Sequence, residues 1–87
     1  MKLQMFAVRD RATDMFGTPM FLQSRGQAIR SFTDEVNRQA EDNQLYRHPE
    51  DFDLYFMGVF STDDGSFDAC RPEQLVIGKD VAIRGGV

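Results

Sequence analysis

Only one stretch of this 87-residue chain carries helical periodicity, and everything around it alternates or turns. Ser24 and Gln27 have the spacing of a capping box, in which each side chain satisfies a backbone amide at a helix start. Behind them Ala28, Ile29, Phe32, Val36 and Ala40 fall on one apolar stripe. The spacing predicts a helix from about Arg25 to Ala40, with Arg30, Asp34 and Arg38 on its solvent face as i,i+4 ion pairs. A single helix cannot bury its stripe against itself, so it must lie on a sheet.

The flanking segments supply the strands. Leu3, Met5 and Ala7 alternate with Lys2, Gln4, Phe6 and Val8, and both sets contain apolar residues. That pattern suits a strand buried on one face and partly covered on the other. Residues 10–20 break the alternation with Asp10, Thr13, Asp14, Gly17, Thr18 and Pro19, and read as a loop whose Met15, Phe16, Met20 and Phe21 fold back over the domain. After the polar stop Glu41–Gln44, Pro49 opens a short helical turn. Leu54–Ser61 is a strong strand, Asp63-Asp64-Gly65-Ser66 is a hairpin turn in which Asp-Gly supplies positive φ angles, and Ser66–Cys70 is the return strand. Leu75–Ile77 forms a last short strand after Pro72, and residues 84–87 fray. The expected fold is α+β: one domain over 1–87, a small, mainly antiparallel sheet with one helix packed across one face.

Eighty-seven residues leave no room for a second core. The eight Phe and two Tyr are therefore read mostly as packing residues. Cys70 is the sole cysteine, which excludes an internal disulfide and suits a reducing compartment. With His48 as the sole histidine, no structural zinc set can form within one subunit. No apolar run approaches the length of a membrane span, the first residues lack the pattern of a secretory signal, and no cofactor is expected.

Asp63, Asp64 and Asp68 lack the ligand spacing of a calcium loop and read as turn residues. His48 with Glu50, Asp51 and Asp53 reads as a capped turn rather than an acid–base site. Cys70 beside His48 shows no third group for nucleophilic catalysis and reads as a small buried hydrophobe. The chain is expected not to be an enzyme. Nucleic-acid contact would use Lys2, Arg9, Arg11, Arg25 at the helix start and Arg47 for phosphates, with Tyr46, Tyr55 or Phe6 for stacking. It stands against the plainer reading of a solvated surface whose aromatics are core. The net charge of −4 opposes such contact. Residues 1–48 nevertheless hold seven Lys/Arg against six Asp/Glu, whereas 49–87 hold three against eight, so the first half is the side for a phosphate backbone.

Several segments together resemble a known family. They are Met1–Asp10, Gly26–Phe32, Val36-Asn37, the specific run His48-Pro49-Glu50-Asp51-Phe52-Asp53-Leu54-Tyr55, Gly58-Val59-Phe60 and Asp64-Gly65. The chain is similar to the small non-structural protein of gokushovirus-type microviruses, phages with circular single-stranded DNA. The resemblance implies a DNA-binding accessory role in viral genome synthesis or its coupling to packaging, in the host bacterial cytoplasm. It supplies no DNA-contacting residues. Single-stranded DNA, replication or packaging proteins and a second copy of the chain are the expected partners. The alternative is an adaptor that binds a replication protein without touching DNA.

Overall fold

The computed structural model describes residues 1–83, so the expected fraying of 84–87 lies outside the described residues. Strand β1, Lys2–Asp10, runs antiparallel to β4, Phe52–Ser61, along their whole length from Lys2↔Ser61 to Asp10↔Phe52. β5, Phe67–Ile77, flanks β4, while β2, Met15–Phe16, and β3, Met20–Leu22, pair with the free edge of β1. The sheet therefore reads β2/β3–β1–β4–β5, all antiparallel. Helix α1, Arg25–Val36, packs on one face. Two four-residue helices, α2 at Gln44–Arg47 and α3 at Gly78–Val81, and a 3-10 turn at Pro49–Asp51 close the end near Asp10 and Phe52. This is the α+β fold expected from the sequence.

The core sits between α1 and the side chains that alternate toward it. Phe6 and Leu54 are fully buried against Ala28, Phe32 and Val36, with Val8, Phe56, Leu45 and Val81 around them. Burying a side chain of this size contributes about 1.5–3 kcal/mol, so a handful of residues carries most of the hydrophobic stabilisation.

Several local expectations change for physical reasons. The 10–20 loop is a pair of short strands, because the edge of β1 needs hydrogen-bond partners and Gly17 N–H donates to the Val8 carbonyl at 2.8 Å. The helix stops at Val36 rather than Ala40. There the Asn43 side-chain amide donates to the Glu35 and Arg38 carbonyls, both at 2.8 Å, and leads the chain away. Arg38 pairs with Glu35 at 2.8 Å instead of Asp34. Ser24 Oγ accepts from Gln27 N–H as expected, but Gln27 Oε1 accepts from Gln23 N–H rather than closing on Ser24.

In the β4–β5 turn only Gly65 has positive φ, at 74°. β5 runs unbroken through Pro72, since an edge strand tolerates the missing N–H at a bulge. Its residues Cys70–Pro72 lie between the pairs Gly58↔Ala69 and Phe56↔Glu73, opposite Met57 alone. Gly58 sits at this irregularity with φ 136°, where an added Cβ would stand 2.5 Å from the Asp68 carbonyl oxygen. Cys70 is exposed, not a buried hydrophobe, because the bulge lifts it from the sheet's regular packing. Among the described residues no helix is long and apolar enough to cross a membrane.

Candidate interaction face of the sheet

The side of the sheet away from α1 carries Leu3, Met5, Ala7 and Arg9 on β1, Asp53, Tyr55 and Phe60 on β4, and Phe67 on β5. Phe21 pairs with Met5 and Phe16 with Arg9, which puts both rings on this same side. The α2 and α3 residues Leu45 and Val81 pack into the core on the opposite side, so no helix lies on the outer face, although Met5, Ala7 and Asp53 on it are buried. Its aromatics form two groups. Toward the β4–β5 turn, Phe60 lies between Phe21 and Phe67 with ring centroids 5.7 and 4.9 Å away. Toward the other end, Phe16 meets Tyr55 edge-on at 5.3 Å, and the Arg9 guanidinium stands 5.8 Å from the Phe16 centroid. Their nearest members stand opposite Met5 and Ala7, about 7 Å apart along β1, and their outermost opposite Leu3 and Arg9, about 20 Å apart.

Most Phe residues pack as expected, with three exceptions: Phe16, Phe21 and Phe67 are 41%, 42% and 62% exposed. One twelve-residue helix is about 18 Å long and covers one face of a molecule 48 Å in its longest dimension. The signal was present in the sequence, because Leu3, Met5 and Ala7 are apolar on the strand face opposite Phe6 and Val8. Phe6, considered for stacking, is fully buried in the core.

The predicted nucleic-acid residues divide by location. Arg9, Arg11 and Tyr55 come together at the Asp53 end of the open face. There Arg9 bonds to Asp14, and that bond and Tyr55 hold its guanidinium charged by raising its pKa. Arg11 donates to the Glu50 carbonyl and places Nε 3.4 Å from Oδ2 of Asp53. Asp53 itself is fully buried and also accepts from Gln74 Nε2 at 3.0 Å. Arg25 lies on the helix side, 4.6 Å above the Phe56 ring, and forms a two-pronged ion pair with Glu73 at 2.9 and 3.2 Å. That pair raises the Arg25 pKa and lowers that of Glu73. Tyr46 and Arg47 belong to α2, where Arg47 reaches the Glu41 carbonyl at 3.4 Å. Lys2 is exposed at the far end of β1, beside Val59, Ser61 and Asp68 on the helix side.

Other candidates resolve into local structure. Asp64 Oδ1 accepts from both the N–H and the hydroxyl of Ser66, which lowers the Asp64 pKa, and Asp63 pairs with the N-terminal amine at 2.8 Å. These bonds build the turn. His48 and Glu50 are exposed, with Nδ1 and Oε1 3.8 Å apart, and they cluster with Asp51 on the 3-10 turn. His48 precedes the Phe52 end of β4, whereas Cys70 faces Met57 about 17 Å further along the strand, so the two do not form a pair. A groove of about 630 Å³ lined by Val8, Met20, Phe32 and Leu45, with Asp34, Glu35 and Arg38 among its other walls, lies on the helix side.

Residues 3–81 match the model of the family described as Phage ORF5 protein. Protein ORF5 of Chlamydia phage 1 is 36% identical over 64 residues, which span 71% of this chain and 67% of that protein. No solved structure matches the chain. These matches agree with the resemblance to the small non-structural protein of gokushovirus-type microviruses. A match over nearly all of the described residues, with its fold intact, leaves one conclusion: the chain belongs to the Phage ORF5 protein family.

Proposed function

We propose that this phage protein is a non-enzymatic accessory factor in single-stranded genome synthesis, working in the cytoplasm of the infected bacterium. In this reading it touches single-stranded DNA with the Phe16–Tyr55–Arg9 end of its open sheet face. The observation that carries the reading is that ring pair, with Phe16 41% exposed and Tyr55 half-buried, beside a cation. An antiparallel sheet with its helix on one side and aromatic rings on the other is also the arrangement by which RNA-recognition modules stack unpaired bases, an analogy of architecture alone.

Magnitudes favour stacking over charge. Base–aromatic stacking contributes about 1–3 kcal/mol per base. The cations are mostly engaged: Arg9 with Asp14, Arg11 with buried Asp53, Arg25 with Glu73. The exposed pair at Arg9 is worth only about 0–1 kcal/mol, so a phosphate can replace Asp14 there. Arg11 stays with Asp53, because its departure strands a buried carboxylate. Lys2, Arg25, Tyr46 and Arg47 stand outside this face and take no part in the contact.

Fluorescence anisotropy of a labelled oligothymidylate tests the reading at several salt concentrations. Binding at low salt is expected, with a shallow log–log salt slope of about −0.7, which corresponds to the one phosphate at Arg9. Tyr55→Ala and Phe16→Ala should each weaken it by roughly 5- to 150-fold. Absence of binding at low salt ends the direct-contact reading.

The ion pairing of Arg9, Arg11 and Arg25 favours a second reading, in which the chain binds a replication or packaging protein and never meets DNA. A partner that co-purifies from infected cells and survives nuclease treatment supports that adaptor role; loss of every partner on nuclease treatment contradicts it.

A further inference from the structure

We infer that the other end of the open face, around Phe21, Phe60 and Phe67, is where two copies of this chain meet. The patch is made of Leu3, Phe21, Phe60, Phe67 and Ala69 over a buried Met5, none of which ionises. It differs in this from the Arg9 end, and a phosphate backbone finds no partner on it. A second copy does. The chain as a whole carries −4, and apposing this neutral patch with its own image sets no like charges against each other.

The area is of the right order. A Phe side chain buries about 200 Å², so the exposed fractions of Phe21 and Phe67 leave on the order of 200 Å² of ring surface uncovered, and Leu3 and Phe60 bring the patch to about 300 Å². A standard interface takes about 800 Å² from each partner, a little over half of it apolar. The patch thus supplies most of the apolar centre of a small interface. Phe60 already touches both Phe21 and Phe67, so little side-chain freedom is lost when they are covered. Two such faces pack as a sandwich about 10 Å apart, with the same residues used on both sides of a two-fold axis. For a domain this small, self-association also adds the core that one helix cannot provide.

Sedimentation equilibrium of the full chain from about 1 to 500 μM tests the inference. The expected result is a reversible monomer–dimer equilibrium starting from the 10.0 kDa monomer. Phe67→Glu and Phe21→Glu should each weaken dimerisation by at least about tenfold, because a carboxylate would be buried against rings. Arg30→Glu, on the exposed side of α1, should not change it. Circular dichroism must show the Glu variants folded; if one unfolds, Phe67→Ser replaces it with the same expected direction. A monomer at every concentration, or a dimer indifferent to both substitutions, overturns the inference. Tyr55→Ala should leave dimerisation intact, which keeps this result separate from the outcome of the DNA titration.

Discussion

Asp53 is wholly buried at the edge of an otherwise open face, and its two carboxylate oxygens are treated differently. Oδ2 accepts from Gln74 and stands near Arg11, while Oδ1 has no hydrogen-bond partner among the described residues. Arg11→Met should therefore cost about 1–3 kcal/mol in urea denaturation, less than for a fully buried pair because the guanidinium is partly exposed. It should leave oligothymidylate affinity unchanged where the variant is folded. Gly58→Ala meets both a φ of 136° and a clash with the β5 backbone, so a loss of about 2 kcal/mol or more in the same assay is expected. Hydrogen bonds from Arg38 and Arg25 hold the Glu35 and Glu73 carboxyls below their usual 4.5. Folded values below unfolded ones mean that this stabilisation is present above about pH 4.5 and is lost as pH falls through the folded values. The thermal midpoint should drop between pH 5 and pH 3, and by less in an Arg25→Gln, Arg38→Gln variant.

At the scale of elements, the end of α1 depends on a residue that lies beyond it. Asn43 is buried, caps α2 by accepting from Leu45 N–H, and donates to two carbonyls at the end of α1. Asn43→Ala should cost about 2–3 kcal/mol and reduce helical circular dichroism, since one side chain serves both helices. The apolar stripe, the serine cap and the strand alternation made α1, β1 and β4 legible from the sequence. The elements that were not legible owe their existence to neighbours. β2 and β3 are too short to show a period and form by pairing with β1. β5 continues through Pro72 only because it lies at the edge of the sheet, and α1 stops early because Asn43 folds back. The candidate site was half legible: Arg9, Arg11 and Tyr55 share one end of one face, but Phe16 was hidden in what read as a loop. Its place beside Tyr55 depends on the β1–β2 pairing.

For the whole molecule, the controlling fact is a mismatch between one short helix and a sheet that runs well past it. The helix covers one face; on the other Met5 and Ala7 are buried without it, while Phe16, Phe21 and Phe67 stay partly exposed at the two ends. The net charge of −4 is not cancelled by pairing: in the second half Glu73 meets Arg25 and Asp53 meets Arg11, but Asp64, Asp68 and Asp80 stand exposed. Contact with DNA must therefore come from the rings more than from net charge. The most direct test of that account is two-dimensional amide NMR of the ¹⁵N-labelled chain, titrated with oligothymidylate at low salt. Shift changes confined to Ala7–Arg9, Met15-Phe16 and Asp53–Tyr55 are the predicted result. Unshifted spectra, or changes confined to α1, α2 and the groove between them and the sheet, would contradict it.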